Sequence, residues 1–212
     1  MNINLTYEKR LIGEDIPKSN SETKDINLKM SDSQLWLEFQ SGNEIAYALI
    51  YKKNASILYG YGLKIVNDKE LIKDCIQDLF IELWNSKHKL SKVNSIKAYL
   101  IKSIRRKIIA SCIKQRRTNL DLASKPNLKI LTTSSAEYDL IEKQNYNLQL
   151  TKLKRALNRL TDRQKEIIHL KFQEQLSYVE IAEIMSLSKK GAYKLMGRSI
   201  IFLRKCMSEV TE

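Results

Sequence analysis

The chain has 212 residues, 43% of them hydrophobic, and a formal net charge of +13. That length and composition describe a globular protein of one domain or two small ones, and exclude fibrous and wholly disordered classes. Six glycines and two prolines supply little turn chemistry, so the abundance of Leu, Ile, Lys, Glu and Gln points to an all-α fold.

The opening MNINLTYEKRLIGEDIPK mixes charges early and has no apolar core segment, so no secretory signal is expected. No apolar run approaches the ~18 residues of a membrane span, and a cytoplasmic protein is expected. Cys75, Cys112 and Cys206 are odd in number, far apart and at no metal or redox spacing; they read as reduced packing residues. The positive charge is placed unevenly. Between Glu82 and Asp121 lie eleven cations and no acid, and between Glu183 and Glu209 lie six more, leaving 20 basic against 24 acidic residues elsewhere. One Lys-rich run is usually a solvated face, but two separate basic surfaces suggest a polyanion touched at two places.

Residues 1–30 carry five basic and five acidic side chains with little periodicity, as a mobile extension would. Helical patterning starts at Ser31-Asp32 with Leu35, Trp36 and Phe39, and continues through Ile45, Ala46, Leu49 and Ile50. Gly60 and Gly62 mark a bend or a close helix contact. A third helix is expected from Asp68, its cap, to about Ser86, with a core stripe of Ile72, Ile76, Leu79 and Leu83. Its opposite face reads Asp74, Gln77, Asp78, Ile81, Trp84. A solvated face rarely carries a tryptophan and an isoleucine one turn apart, so this face packs internally or docks a partner, and periodicity alone favours internal packing slightly. Ser95 caps a fourth helix that buries Ile96, Leu100, Ile104, Ile108 and Cys112, while Lys102, Arg105 and Arg106 point away from that stripe.

Aromatic residues are absent from 118–136, where Ser, Thr, Asn and a proline gather, as in an interdomain linker. The boundaries are therefore an extension, 1–30; a helical domain, 31–117; a linker, 118–137; and a second helical domain, 138–212. In the second, Tyr146, Leu150, Leu153, Leu157 and Leu160 step along one helix. Thr161 and Gln164 form a capping box that opens another, carrying Ile167, Ile168 and Phe172.

Two further helix starts in LSYVEIAEIMSLSKKGAYKLM have opposite electrostatics. Ser177 with Glu180 is a capping box, whose acid suits the positive end of the helix dipole. Ser188 is followed by Lys189, Lys190 and then Gly191. Cations in a first turn oppose the macrodipole by roughly 0.3–1 kcal/mol each, a placement that becomes favourable when an anion binds there. Gly191 would let a phosphate approach the backbone. With Ile181, Ala182 and Met185 facing inward, Ser186-Leu187-Ser188 turning the corner, and Ala192, Leu195 and Ser199 packing back, the pattern is a helix-turn-helix. Its second helix would present Ser188, Lys189, Lys190, Tyr193, Lys194 and Arg198 to a DNA major groove. The turn has Ser186 where glycine is usual.

Residues 160–205 resemble region 4 of bacterial RNA polymerase sigma factors, particularly the extracytoplasmic-function class, in the polar run before RQKEI, the LSYVEIAEIM helix and the closing basic helix. Independently, DCIQDLFIELWNSKHKL, from Asp74 to Leu90, resembles region 2 of that class. The resemblance implies two small helical domains, a region 2 bundle and a region 4 helix-turn-helix, joined by a flexible linker without region 3. It implies that Asp74, Gln77, Asp78, Ile81 and Trp84 dock on a coiled coil of the largest subunit of core polymerase, which revises the internal-packing reading. Lys92, Asn94, Lys97, Tyr99, Lys102, Arg105 and Arg106 match the part that captures the melted −10 promoter element, and region 4 would read the −35 element. At positions where the family commonly has threonine, valine and a basic residue, this chain has Gly191, Ala192 and Leu195, which leaves the identity of the −35 sequence open.

The implied partners are promoter DNA, core polymerase and a membrane-associated anti-sigma factor, with no small-molecule substrate and no cofactor. A helix-turn-helix regulator acting without polymerase is the second reading; it accounts for the C-terminal tract but not for the Trp84 face or the first basic tract. An enzyme on DNA is the third. It lacks support, since neither a carboxylate and histidine cluster nor a phosphate-cradling glycine loop is present.

Overall fold

The computed structural model describes residues 30–118 and 142–208. Among these there are eight α-helices and no strand: α1 Asp32–Gln40, α2 Glu44–Ile65, α3 Lys69–Ser86, α4 Ile96–Thr118, α5 Glu142–Arg159, α6 Asp162–Ile168, α7 Tyr178–Met185 and α8 Lys189–Ser208. A short 3₁₀ turn, Lys87–Lys89, follows α3, and a wide π turn, His169–Gln173, follows α6. The extension expected at 1–30 and the linker at 118–137 lie almost wholly outside the described residues, as does the side chain of Tyr146.

Local side chains start most of these helices. Ser31 with Gln34, Thr161 with Gln164 and Ser177 with Glu180 each form a capping box. Asn43 caps α2 and Asp68 caps α3 through its carboxylate. The start of α4 has two caps. Ser95 Oγ accepts from the Ala98 N–H at 3.2 Å, and the Asp32 carboxylate, from α1, accepts from the Ile96 N–H at 2.9 Å.

In the first unit α2, α3 and α4 pack against one another and α1 lies across α2. The core stripe Ile72, Ile76, Leu79 and Leu83 is buried, with Cys75 and Phe80 beside it. Trp36 is fully buried and donates its indole N–H to the Ser91 carbonyl at 2.9 Å. Gly62 is needed where α2 meets α3, because a β-carbon there would sit 2.7 Å from Ile72 Cγ2. Gly60 has open space around it and marks no bend. Two expected core positions are more open. Ile45 is 56% exposed, because the inward phase of α2 runs through Ala46, Ile50, Asn54 and Leu58. Cys112, near the end of α4, is half-buried.

In the second unit α8 packs on α5, α6 and α7. Ala156 and Leu160 are buried on the α5 side, while Leu153 stays exposed. The helix opened by Thr161 departs from a plain 3.6-residue pattern. At the π turn the Glu174 N–H reaches back to the His169 carbonyl at 3.2 Å, and the added residue shifts the phase. Leu170 is consequently buried, and Phe172, expected to follow Ile167 and Ile168, is 62% exposed. Ser186 adopts the left-handed conformation usually given to glycine, φ 54° and ψ 51°, and the Leu187 N–H closes on the Ala182 carbonyl at 2.8 Å. The helix-turn-helix corner is thus formed with serine.

The two units are in contact. Helix α4 packs on α7, and the buried apolar residues of both halves form one continuous cluster.

Candidate nucleic-acid and polymerase interfaces

Helix α8 begins as its sequence implies, with Ser188 Oγ accepting the Gly191 N–H at 3.0 Å. The expected role of Gly191 changes as a result. Its N–H is already used by the cap, and a β-carbon there would come within 3.1 Å of Ser188 Oγ, so glycine keeps the cap tight. Ala192, Met196 and Ser199 are buried against the rest of the unit, and Leu195 is half-buried. The opposite face exposes Lys189, Lys190, Tyr193, Lys194 and Arg198. Among the described residues none of these four cations takes part in an ion pair. Tyr193 is held in place by stacking on Tyr178, ring centroids 3.9 Å apart, and Lys171 Nζ lies 5.0 Å from the centre of the Tyr178 ring.

The cations around α4 divide into two sets. Lys92 and Arg106 are exposed, as is the neutral Asn94. Lys97, Lys102 and Arg105 instead turn toward the second unit. Lys97 Nζ donates to the Glu174 carbonyl and stands 3.9 Å from its carboxylate, and Lys102 Nζ is 3.0 Å from the Glu183 carboxylate. Arg105 donates twice to Glu166, from Nε at 2.7 Å and from Nη2 at 3.4 Å. The Tyr61 hydroxyl donates to the same Glu166 oxygen at 2.7 Å. Burial works against the Arg105 cation, yet the Glu166 hydrogen bond and charge carry its pKa above the ordinary value. Burial, then the Glu166 charge, push the Tyr61 phenol well above its ordinary range. Tyr99, expected on the −10 surface, is half-buried with its ring edge-on to Trp36, centroids 5.2 Å apart.

On α3, Asp74, Gln77, Asp78 and Ile81 are exposed along one face. Trp84 ends that face and is half-buried. Its ring tilts against Tyr47 at 5.0 Å and Phe39 at 6.4 Å, with Lys87 Nζ 4.0 Å above it. Tyr47 donates its hydroxyl to the Phe80 carbonyl at 2.9 Å, and burial followed by the neighbouring Tyr51 raises its pKa to about 12. The two sequence readings of this face are therefore both present: four residues open, and an indole shared between the surface and its own aromatic cluster.

Sequence reasoning missed Tyr61, Glu166, His169, Glu174 and Glu183 as a group. His169 lies in the seam between the units, its ring stacked 6.0 Å from that of Tyr61. Its Nε2 is 3.4 Å from Glu174 Oε1 but out of line for a hydrogen bond. Burial lowers the His169 pKa and Lys64 lowers it further, against the hydrogen bond with Gln173 and the Glu166 charge. The visible signal was a spaced run of acids, Glu166, Glu174, Glu180 and Glu183, ahead of the basic tract of the second domain. Nothing local tells which helix of the other unit they would meet. Among the described residues, no group of three or more His, Cys, Asp or Glu is placed to hold a metal ion, and no helix is long and apolar enough to cross a membrane.

The Sigma-70 region 2 family profile matches residues 50–118, and the Sigma-70, region 4 profile matches residues 150–203. The chain belongs to the sigma-70 family of RNA polymerase sigma factors. Regions 2 and 4 are both matched, and the similar relatives are extracytoplasmic-function (ECF) factors. Similar curated relatives include the ECF RNA polymerase sigma factor SigK of Mycobacterium sp. strain KMS and that of strain JLS. Each is 23% identical over 169 residues, 76% of this chain and 83% of the relative. Among solved structures, the fold is similar to CnrH in complex with the cytosolic domain of CnrY, with a TM-score of 0.54 and 18% identity over 85% of this chain and 99% of that one. It is also similar to the sigma factor RpoE of Bartonella quintana in complex with the anti-sigma factor NepR, with a TM-score of 0.52 and 19% identity over 74% of this chain and 92% of that one. A sigma factor is a transcription initiation factor that directs core polymerase to promoters through their −10 and −35 elements, and is not a catalyst by itself.

Proposed function

We propose the following division of labour within this sigma factor. Asp74, Gln77, Asp78, Ile81 and Trp84 dock on the coiled coil of the largest polymerase subunit, the carboxylates meeting basic groups around an apolar anchor. Lys92, Asn94, Lys97, Tyr99, Lys102, Arg105 and Arg106 hold the melted −10 strand, and Ser188, Lys189, Lys190, Tyr193, Lys194 and Arg198 hold the −35 duplex. The chain has no enzymatic activity of its own and works in the cytoplasm. Its units are the region 2 domain, 31–117, and the region 4 domain, 138–212, with 118–137 as the linker between them. An anti-sigma factor is a further partner, by analogy with the RpoE–NepR complex.

The observation that supports polymerase docking is the exposed Asp74, Gln77, Asp78 and Ile81 face, two carboxylates and an isoleucine on a well-capped helix with none of the described residues covering them. A regulator acting without polymerase has no use for such a face. Because Trp84 also packs on Tyr47 and Phe39, Trp84→Ala would mix docking with stability. Ile81→Ala combined with Asp78→Arg is the cleaner probe. Core polymerase pull-down by this variant should fall by roughly tenfold or more, the loss of about 1.4–2 kcal/mol expected for a hot-spot pair, with the melting temperature unchanged. Retention at the wild-type level would remove the assignment.

A further inference from the structure

We propose that Glu166, Glu174 and Glu183 of region 4 are an internal stand-in for the promoter backbone, closing the free chain by occupying the cations of the −10 surface. The inference rests on the reading of Lys97, Lys102 and Arg105 as strand-binding residues.

Three cations of one basic helix each meet a carboxylate residue of the other unit, at Glu174, Glu183 and Glu166 in turn. A guanidinium fork gripping two carboxylate oxygens, as Arg105 grips Glu166, is the geometry with which arginine also grips a phosphate. Glu166 is held in position by a second donor, the Tyr61 hydroxyl, which belongs to the −10 unit but is buried and not part of its basic surface. Lys92 and Arg106, which are exposed, have no ion pair among the described residues. The cations met by the other unit are those beneath α6, α7 and the segment between them, while Lys107 pairs with Glu82 of its own unit.

This arrangement is incompatible with simultaneous use of both promoter elements. Their centres are about 25 base steps apart, or about 85 Å at ~3.4 Å per step. In the closed chain Lys102 Nζ is 3.0 Å from Glu183, which lies on the helix just before the −35 recognition helix. The 23 residues between Thr118 and Glu142 span at most ~76–83 Å at ~3.3–3.6 Å each, enough for the units to part and reach both elements. Opening exchanges carboxylates for phosphates on the same cations, so no positive charge is left buried and unpaired. The pairs differ in accessibility: the Glu183 side chain is 61% exposed and that of Glu166 12%. The rim pair is therefore the more easily lost, and salt weakens it most.

The test uses the full chain. Small-angle X-ray scattering gives the radius of gyration, and fluorescence anisotropy gives affinity for a short fluorescein-labelled single-stranded DNA. Glu166→Gln with Glu183→Gln should expand the chain and tighten strand binding by about three- to tenfold at low salt. Glu183→Gln alone, at an exposed carboxylate that the fold does not need, should move both readouts in the same direction by less. An unchanged radius in both variants overturns the proposal, and so does expansion without tighter binding, which would make the contact merely structural. Lys92→Ala with Arg106→Ala, outside the latch, tests the underlying reading separately: unchanged strand affinity in that variant would remove the −10 assignment itself.

Discussion

Helices α4 and α8 look alike in sequence, each a long helix in an acid-free tract with cations along one side. In the folded chain they differ. The cations at the start of α8 are exposed and have no ion pair among the described residues, whereas Lys97, Lys102 and Arg105 on α4 are met by carboxylates of the other unit. Charge patterning shows where a polyanion can sit; tertiary packing decides which of those seats is open at a given moment.

The sharpest way to break the comparison is to delete one arginine from each helix. Arg105→Ala strips two hydrogen bonds from Glu166 and leaves a largely buried carboxylate with only Tyr61, which should cost about 1.5–3 kcal/mol and separate the melting of the two units. Arg198→Ala, at an exposed position, should stay within about 0.5 kcal/mol of wild type. Denaturant melts of the two variants, followed by circular dichroism, check this, and equal losses would erase the distinction drawn between the helices. A smaller effect, of opposite sign, is expected at the start of α8. Lys190→Glu should stabilise the free protein by about 0.3–1 kcal/mol, because it removes a cation from the positive end of the helix, while lowering the salt slope of duplex binding by about 0.9. A filter-binding series across salt concentrations tests the slope, and an unchanged value would make Lys190 only a solvated cation.

The smallest effect is one of pH in the seam. His169 is held below its ordinary 6.5, chiefly by burial, so at pH just under 6.5 the unfolded chain takes up a proton that the folded chain does not. Stability should be at its full value above about 6.5 and decline as pH falls through the window beneath it. Glu174, held above its ordinary 4.5 by burial against the pull of Lys97, gives the reverse slope in a lower window. Urea midpoints at pH 7.5 and pH 6 should therefore differ for wild type and converge for His169→Phe; equal midpoints for wild type would show that the imidazole is solvated.

Much of the fold was legible because its signals are local. The caps at Asp68, Ser95, Thr161, Ser177 and Ser188 are all formed as their sequences imply. The stripe from Ile72 to Leu83 is buried, and the serine at position 186 turns the corner. What was illegible depends on partners distant in sequence or on one added residue. Phe172 departs from its expected phase because of the π turn, which no periodicity announces. Trp84 is split between an aromatic cluster and the surface by Tyr47 and Phe39, residues 37 and 45 positions earlier. The cations on α4 are called basic by any local reading, yet their pairing with Glu166, Glu174 and Glu183 joins positions 61 to 81 apart.

The double cap on α4 bears on how the chain assembles. Helices α6 and α7 carry complete capping boxes within four consecutive residues and can begin in isolation. Helix α4 takes half of its N-terminal cap from Asp32, 64 positions away, so its first turn is finished only after α1 has come to rest against it. The helix proposed to hold single-stranded DNA is accordingly a late-maturing element, and a nascent chain acquires its helix-turn-helix by a more local route.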